Sequence, residues 1–427
     1  MAEKEKEKDK KKEKIIEADR FLTEKDLLGG KEVSIIRLID ALVERAFKAG
    51  ASDIHIDPEE KQVRVRFRID GVLHDTFAFP KELHSEIITR IKVLSGLRTD
   101  EHQAAQDGRF KIRMKEGEGD FLDVRVSVAP TYYGENSVMR ILAKQAEAFT
   151  LETMGFSEKD RAKIERAIRT PYGMILCTGP TGSGKTTTLY TVIKILNTPA
   201  VSIITIEDPI EYSISGIEQM QVNTRAGLTF ASGLRSILRQ DPNVIMVGEI
   251  RDEETAAIAV NAALTGHLML STLHTNDAPT TLPRLVDMKV EPFLIASTIN
   301  VAIGQRLVRK ICPDCKIKKK LEDEDLKSLS GALPAGFLEK LGKKELIFYA
   351  GQGCAKCASS GYKGRIGIYE VLEMDDELRQ AIVKRADNSE IKKIAIKNGM
   401  TTMLEDGFLK ALSGVTTIEE ILRVIHE

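Results

Sequence analysis

The sequence predicts an α/β fold, with a doubly wound parallel sheet in the middle of the chain and an α+β domain before it. Short apolar segments alternate with helical patterns between residues 174 and 271. A glycine-rich run follows the first of these segments, and two pairs of cysteines come after the last. Alternation of strand and helix is typical of a parallel sheet covered by helices on both faces.

The bulk composition of the 427-residue chain fits a globular protein of several domains. Hydrophobic residues make up 42% and charged residues 30%, which is enough apolar material for real cores. Lys and Arg total 63 against 64 for Asp and Glu, so the net charge of -1 provides no global attraction to nucleic acid or anionic lipid. A signal-peptide pattern and an apolar run of about 18 residues are both missing. We therefore predict a cytoplasmic protein with only peripheral membrane contact.

The α+β domain is predicted from helical and alternating patterns that follow one another. Apolar residues recur at helical spacing from Ile35 to Ala46, and Gly50 follows as a stop. Residues 63–69 alternate between apolar side chains and arginines, and Asp70-Gly71 then gives a hairpin turn into a second strand at 72–79. A helix at 81–94 and strands near 109, 121–128 and 137–142 complete this domain.

The central domain is predicted from strands that are apolar on both faces, as buried parallel strands are. The predicted strands are 174–178, 202–206, 244–247 and 268–271, and the predicted helices are 185–196, 227–239 and 253–264. The last helix of the chain is predicted to begin with Thr417 and Glu420 spaced as a capping box. The predicted boundaries are a charged tail at 1–33, the α+β domain at 34–143, a linker at 144–156, the central domain at 157–309, a tetracysteine subdomain at 310–373 and a helical region at 374–427.

The run Gly179-Pro-Thr-Gly-Ser-Gly-Lys-Thr186 matches a phosphate-binding loop in full and stands between an apolar strand and a helix. Its glycines allow tight turns that present backbone N–H groups to phosphate oxygens, and the helix N-terminus adds a positive dipole. Lys185 supplies charge to the β- and γ-phosphates, and Thr186 offers its hydroxyl to magnesium. The predicted nucleotide contacts are Gly179, Pro180, Thr181, Gly182, Ser183, Gly184, Lys185, Thr186 and Thr187.

Acids follow two of the predicted strands. Glu249 comes after the strand at 244–247, where a carboxylate can hold magnesium through water or orient an attacking water. Glu207, Asp208 and Glu211 follow the strand at 202–206. Three acids near a phosphate would repel it unless a metal or an arginine intervenes. We therefore predict magnesium or water organisation here, with a polar loop that caps a turn as the alternative.

Two histidines flank the strand at 268–271. His267 opens the strand, and His274 follows its carboxyl end, where ligands gather in such sheets. His274 is thereby placed to donate to a γ-phosphate. A satisfied structural histidine is the alternative for both.

Two pairs of arginines are candidates for phosphate contact from the chain itself or from a neighbouring subunit. Arg109 and Arg125 lie in the α+β domain, and Arg235 and Arg239 lie four residues apart on one helix face. A solvated surface role is the alternative for all four.

Four of the five cysteines form two CxxC pairs, Cys312 with Cys315 and Cys354 with Cys357. The pattern predicts a tetrahedral zinc site, and four thiolates leave no open coordination position, so the site is structural. A redox or iron–sulfur role and unligated thiols are the alternatives. Cys177 lies in the strand before the glycine-rich loop and is predicted to be a small buried residue.

Together these residues resemble the type II/type IV secretion ATPases. The resemblance rests on GPTGSGKTTTLY, TIEDPIEY, LRSILRQDPNVIMVGEIRD, TGHLMLSTLHTNDA and the tetracysteine, and it extends over about residues 34–427. ASDIHIDP and FRIDG resemble the family's N-terminal sensor-like domain. The resemblance implies a RecA-like P-loop ATPase domain preceded by this α+β (PAS-like) domain, with a zinc-binding insertion and a helical C-terminus.

The family also implies roles for matching positions. The loop at 179–186 would be its Walker A motif, and Glu249 the catalytic glutamate of its Walker B motif. The acids at 207, 208 and 211 would be its Asp box, and the histidines at 267 and 274 its His box. Arg109 and Arg125 resemble the arginines that the first domain offers to the nucleotide, whereas Arg235 and Arg239 match less closely. ATP, Mg²⁺ and Zn²⁺ are the implied cofactors.

The family assembles hexameric rings that act with an inner-membrane platform protein, with a nucleotide between two domains of one protomer and completed by a neighbour. The tetracysteine resembles the assembly and secretion branch, and GYKGRIGIYEVLEM at 361–374 favours type IV pilus assembly over type II secretion. Relatives usually carry a further N-terminal domain, whereas about thirty mostly polar residues precede Ser34. The chain is thus expected to be a truncated or short natural form, without cyclic di-GMP binding.

Two functions of other classes remain as alternatives. A nucleic-acid motor would need a basic strip, and Arg64, Arg66 and Arg68 form the only one in the sequence. A scaffold that binds ATP without hydrolysing it would show a damaged catalytic set. The candidate set is intact, and we expect no nucleic-acid partner.

Overall fold

The computed structural model describes residues 35–113, 121–142, 149–319 and 347–426. The predicted charged tail and the first part of the predicted linker lie outside these residues. The described chain divides into two compact units. The first holds residues 35–142 with Cys312–Cys315 and Gly351–Gly364, and the second holds the remaining described residues. The finer predicted boundaries stay a prediction.

Helices and strands are numbered here in chain order. The helices are α1 (Ile35–Lys48), α2 (His84–Leu94), α3 (Glu158–Arg169), α4 (Lys185–Leu196), α5 (Phe230–Ile237), α6 (Glu253–Leu264), α7 (Thr281–Asp287), α8 (Pro292–Thr298), α9 (Asp376–Val383), α10 (Asn388–Lys397), α11 (Met403–Leu412) and α12 (Ile418–His426). The strands are β1 (Ala51–Pro58), β2 (Gln62–Ile69), β3 (Val72–Pro80), β4 (Gln106–Arg113), β5 (Phe121–Thr131), β6 (Gly134–Leu142), β7 (Gly173–Thr178), β8 (Ile203–Glu207), β9 (Glu218–Gln221), β10 (Val244–Val247), β11 (Leu268–Leu273), β12 (Ile299–Ile311), β13 (Lys316–Lys319), β14 (Phe348–Gly351) and β15 (Tyr362–Glu373).

The first unit is built on a six-stranded sheet in the order β3-β2-β1-β6-β5-β4, with antiparallel pairing throughout. Alternate residues of these strands form one core with the apolar faces of α1 and α2. The predicted hairpin is confirmed, because Ile69 pairs with Val72 across the turn. Asp70 and Gly71 have φ values of 49° and 88°, the left-handed conformation that a two-residue hairpin turn requires.

The second unit is built on a seven-stranded sheet in the order β15-β12-β7-β11-β10-β8-β9. The strands from β12 to β9 run parallel, and β7, β8, β10 and β11 are buried along their whole length. The four predicted strands are therefore confirmed. Because all four carboxyl ends meet at one edge, the residues that follow them are brought close together.

One predicted helix begins too early. The pattern predicted a helix over 227–239, but α5 runs from Phe230 to Ile237. Thr229 caps it, since its side chain and that of Ser232 bond each other's backbone N–H in a capping box. Gly227 has a φ of 74° and ends a separate turn before the cap.

The carboxyl-terminal helix α12 has a hydrogen bond of the predicted capping box. The Glu420 N–H donates to Thr417 Oγ1 at 3.3 Å. Its carboxylate pairs with Arg309 at 2.5 Å and with Arg423 at 2.9 Å. Burial raises the pKa of Glu420, but the hydrogen bonds to the two arginines outweigh that effect and bring the pKa down to about 2. Within the described residues, no helix is both long and apolar enough to span a bilayer.

Candidate nucleotide-binding site and metal centre

The glycine-rich loop joins β7 to α4, as the sequence predicted. Gly179, Gly182 and Gly184 have φ values of 143°, 80° and 89°, which other residues adopt only under strain. Gly184 is also the N-cap residue of α4. A Cβ on Gly179 would lie 2.4 Å from the Gln305 carbonyl oxygen. Backbone shape thus requires all three glycines, and close packing is a second requirement at Gly179.

The cationic side chain of this loop is folded onto the loop itself. The Lys185 Nζ donates to the carbonyl oxygens of Gly179 at 2.8 Å and Pro180 at 3.0 Å. Burial lowers the pKa of Lys185, because the charged form loses hydration. The Ser183 Oγ is buried and has no hydrogen-bond partner among the described residues.

A phosphate fits this loop by its chemistry. An anion would give the Lys185 ammonium an opposite charge and the Ser183 hydroxyl an acceptor. Thr186 and Thr187 follow in the first turn of α4 and are half-buried, while Pro180, Thr181 and Gly182 are exposed. Thr186 is the residue with a hydroxyl at the position where a P-loop holds magnesium.

Glu249 lies just beyond β10 with two polar partners. Its Oε2 is 2.9 Å from His274 Nε2, and its Oε1 is 2.6 Å from Arg251 Nη2. The parallel pairing of β10 with β11 brings Glu249 and His274 together, as the sequence predicted for the carboxyl ends of strands. Sequence reasoning missed Arg251. Its position could have indicated the contact, because it lies two residues after Glu249 and directly before Asp252, the N-cap of α6.

Glu207 faces a different environment. Its carboxylate accepts hydrogen bonds from the Tyr190 hydroxyl, from Thr205 Oγ1 at 2.6 Å and from Gln219 Nε2 at 3.1 Å. Burial, and then the neighbouring carboxylate of Glu207, raise the pKa of Tyr190, so the phenol remains a donor at neutral pH. The structure therefore places Glu207 in a buried network of three donors.

The rest of the acidic segment forms a turn fastened to this network. Asp208 is exposed and precedes a cis peptide bond to Pro209. The Glu211 N–H donates to the Tyr190 hydroxyl at 3.4 Å. The Tyr190 hydroxyl thus connects helix α4, which follows the P-loop, to both ends of the acidic segment.

His267 lies at the opposite edge of the sheet from the P-loop. It precedes β11, its carbonyl oxygen accepts from Gly173 N–H at the start of β7, and its Nδ1 is 3.0 Å from the Ala262 carbonyl oxygen. Seven residue steps along the strand separate it from His274, or about 23 Å at 3.3 Å per residue. The second unit therefore brings His274, but not His267, to the candidate site.

Arg235 and Arg239 lie on the exposed side of the second unit. Arg235 Nη2 is 2.6 Å from Glu254 Oε1, and Arg239 Nη1 donates to the Arg235 carbonyl oxygen at 2.8 Å. These contacts match the solvated alternative. Their predicted role at a phosphate stays a prediction.

The first unit aligns three arginines across neighbouring strands. Arg109 is opposite Arg125, and Arg125 is opposite Arg140. Arg109 is paired with Asp123, and Arg140 Nε lies 2.9 Å from Asp53 Oδ1. Like charges placed directly opposite each other are unfavourable, and the carboxylates of Asp123 and Asp53 offset this repulsion for Arg109 and Arg140. Sequence reasoning missed Arg140, because only the strand register shows that it extends the row.

The four predicted zinc ligands come together. The Sγ atoms of Cys312, Cys315, Cys354 and Cys357 all lie within 4.8 Å of one another. Three of the separations are 3.9, 3.8 and 3.7 Å. Tetrahedral zinc with Zn–S bonds of about 2.3 Å requires about 3.8 Å. The donor set and its spacing therefore fit Zn²⁺.

Backbone donors also support a thiolate in this cluster. Cys357 Sγ accepts from the N–H groups of Cys354 at 3.2 Å and Gly361 at 3.3 Å. Burial raises its pKa, but these bonds, together with hydrogen bonds to the Cys354 and Cys315 thiols, outweigh that effect and bring it to about 7. Burial raises the pKa values of Cys312 and Cys315, so Cys357 is the thiol of these three that ionises most readily. Cys177 is buried in β7, as expected.

Comparison with known proteins places these features in one family. The family model described as Type II/IV secretion system protein matches residues 30–423. The chain is 45% identical to the type IV pilus assembly ATPase PilB of Myxococcus xanthus, over 92% of this chain and 68% of that protein. It is 46% identical to the type II secretion system protein E of Pseudomonas aeruginosa, over 96% and 79%. It is 47% identical to PilB of Thermus thermophilus, but spans only 42% of that protein.

Solved structures show the same fold. The Legionella pneumophila ATPase DotB superposes with a TM-score of 0.65 at 24% identity, over 91% of this chain and 95% of that one. The pilus retraction motor PilT with bound ADP gives 0.62 at 26% identity, over 90% and 96%. The chain therefore belongs to the type II/IV secretion ATPase family and is a P-loop ATPase with a RecA-like domain, as the resemblance in its sequence predicted.

Proposed function

We propose that this ATPase is a motor that hydrolyses ATP to power type IV pilus assembly. One observation carries the proposal: the P-loop with Lys185 and the Glu249–His274 pair lie at the same edge of one parallel sheet. The P-loop would hold the phosphates, Lys185 would neutralise the β- and γ-phosphates, and Thr186 would hold Mg²⁺, which shields the transferring phosphate. Glu249 would orient and deprotonate the attacking water, while His274 and Arg251 hold its carboxylate in place.

The remaining predicted residues enter the proposal with less support from the geometry. Asp208 and Glu211 would help to organise the metal or water, on a turn that Glu207 and Tyr190 shape. Arg109 and Arg125 would contact phosphate, a role that rests on the family resemblance and requires Arg109 to release Asp123. Arg235, Arg239 and His267 enter on the family resemblance alone.

The choice of machine rests on relatives from both branches. The identities to PilB of Myxococcus xanthus and to the type II secretion protein of Pseudomonas aeruginosa are 45% and 46%, so type II secretion is the alternative with the same mechanism. We favour pilus assembly on the segment at 361–374. The proposal includes a homo-hexamer at the cytoplasmic face of the inner membrane, bound to a platform protein there.

A nucleic-acid motor has less support. The arginine strip of β2 is paired with acids: Arg64 with Asp75 at 2.6 Å, Arg66 with Asp57 at 2.8 Å and Arg68 with Asp53 at 3.6 Å. Paired arginines offer little net charge to a phosphate backbone. A scaffold that does not hydrolyse ATP has less support because Lys185, Thr186, Glu249 and His274 are all present.

Steady-state hydrolysis tests the proposal. We expect Mg²⁺-dependent ATP hydrolysis whose specific activity rises with protein concentration, together with hexamers by native mass spectrometry. DNA and RNA should leave the rate unchanged. Nucleotide binding without turnover, even with the cytoplasmic domain of a platform protein added, would favour the scaffold. Stimulation by DNA would favour the nucleic-acid motor.

The metal centre has its own test. Wild type should contain about one zinc per chain by elemental analysis. Cys357→Ser should lose most of it and unfold at lower temperature, because a structural site contributes folding energy. Cys177→Ala is the matched control and should retain its zinc. Iron in place of zinc would overturn the assignment.

A further inference from the structure

Behind the P-loop lies one side chain that none of the recognised motifs includes. Gln305 is on β12, the neighbour of β7, and is 1% exposed. Its Nε2 donates to the Ser183 carbonyl oxygen at 2.7 Å, and its Oε1 accepts from Thr188 Oγ1 at 2.7 Å. A carbonyl oxygen can only accept, so the amide nitrogen must face Ser183. Both ends of this amide therefore connect β12 to the loop and to α4.

The bond to Ser183 fixes the direction of the next N–H group. A peptide bond is planar and trans, so the Ser183 carbonyl and the Gly184 N–H point to opposite sides. Because the carbonyl points to Gln305 and the sheet, the Gly184 N–H points away from the sheet. That is the side on which a P-loop presents its amides to phosphate.

Gln305 also packs against both ends of the loop. A Cβ on Gly179 would lie 2.4 Å from the Gln305 carbonyl oxygen, and one on Gly184 would lie 3.3 Å from its Nε2. The strand pairing places Gly304 opposite Thr178, the last residue of β7. One buried residue on the adjacent strand thus contacts the beginning and the end of the phosphate-binding loop.

We infer that Gln305 is a positioning residue for nucleotide binding. It acts through the Ser183–Gly184 peptide, which it orients before the phosphate arrives, and it does not touch the nucleotide. The inference rests on the proposed function, since it requires that this loop binds the phosphates of ATP. Loop amides would bind ADP as well as ATP, so the effect falls on affinity and KM more than on kcat.

The experiment measures the Kd of the fluorescent nucleotide mant-ADP with Mg²⁺, the KM and kcat for ATP, and the melting temperature of the full chain. Gln305→Leu removes both hydrogen bonds. Gln305→Glu keeps the size and the acceptor for Thr188 but loses the donor to Ser183. Thr188→Val keeps the donor to Ser183. Gln380→Leu, on the exposed side of α9, is the matched control.

We expect Gln305→Leu and Gln305→Glu to weaken mant-ADP binding about tenfold, which corresponds to about 1.4 kcal/mol. KM should rise by a similar factor, with kcat within about threefold of wild type. Thr188→Val and the Gln380 control should bind within about twofold of wild type, as expected for changes that leave the oriented peptide in place. If the leucine variant does not fold, Gln305→Met, which also lacks the donor to Ser183 and adds no charge near the phosphates, takes its place.

Three outcomes would overturn the inference. A lower melting temperature with unchanged Kd in both Gln305 variants would show a packing role only. If Thr188→Val lost as much affinity for mant-ADP as Gln305→Leu, the effect would come from the contact with α4 rather than from the Ser183–Gly184 peptide. Wild type that binds no mant-ADP would overturn the proposed function and this inference with it, whereas the first two outcomes leave the proposed function intact.

Discussion

The carboxyl ends of β8 and β10 each carry a glutamate, and the two are held in opposite ways. Glu207 is 2% exposed and accepts from Tyr190, Thr205 and Gln219, all of which are neutral donors. Glu249 is also mostly buried, but its partners His274 and Arg251 have side chains that are 47% and 67% exposed. One acid accepts from three donors inside the protein, and the other is held by groups that reach solvent.

This difference fits the roles proposed for the two acids, an anchor for Glu207 and a general base for Glu249. Moving Glu207 toward a nucleotide would leave buried donors without an acceptor, at about 1–3 kcal/mol each. The partners of Glu249 can exchange a carboxylate for a phosphate or a water at small cost, because solvent already reaches them. Of the two acids, Glu249 can therefore leave its partners at a lower cost in free energy than Glu207 can.

The largest expected effect is that of Glu249→Gln. We expect ATP hydrolysis to fall by about 10²- to 10⁴-fold, the range for loss of a general base. The Kd for mant-ADP should stay within about threefold, because the P-loop is untouched. The exposed Glu253→Gln is the matched control and should hydrolyse ATP normally. If Glu249→Gln retained its activity, Glu249 would not be the general base, and the contrast drawn between Glu207 and Glu249 would be wrong.

Glu207→Gln should have an intermediate effect. Glutamine keeps one acceptor oxygen but replaces the other with an NH₂ group. That group faces either the Tyr190 hydroxyl or the Thr205 and Gln219 donors, which disturbs the acidic turn. We expect hydrolysis to fall about tenfold, measured in the same assay, because a loss of this size fits one displaced hydrogen bond. If the loss equals that of Glu249→Gln, Glu207 takes part in catalysis directly, as the family resemblance implies.

Tyr190→Phe should act on stability more than on rate. It removes one donor to a buried carboxylate, which should reduce the free energy of unfolding by about 1–3 kcal/mol. The midpoint of urea unfolding, followed by circular dichroism, measures this change. Tyr132→Phe, at a position that is 94% exposed, is the control. An unchanged midpoint would mean that Glu207 is not anchored as described.

The smallest effect is expected for His267→Asn. This side chain bonds a backbone carbonyl at the far edge of the sheet, so Kd and kcat should change by less than about twofold, as for a substitution outside the site. Fluorescence titration with mant-ADP and the hydrolysis assay measure both. A large loss of hydrolysis in assembled rings, with the Kd of the isolated chain unchanged, would indicate a contact that another subunit supplies.

Much of the fold was predictable from the sequence because its signals are local. Apolar runs predicted β7, β8, β10 and β11, and the glycines of the P-loop predicted a turn that only glycine adopts without strain. The short strand β9 has half-buried and exposed residues, and its sequence, Glu218-Gln-Met-Gln, gives no such signal. It pairs with β8 through backbone atoms that any residue supplies, so only the sheet reveals it.

The sequence by itself determined the family, the phosphate-binding loop and the four thiols, because each is a short motif whose spacing fixes its chemistry. Only the tertiary structure decided which acid faces solvent-reaching partners, which histidine reaches the P-loop edge, and that Gln305 supports the loop. These choices depend on strand order and register, which bring together residues far apart in the chain. Glu207 and Glu249 follow similar apolar strands, and the side chains of neighbouring elements make one an anchor and leave the other available for catalysis.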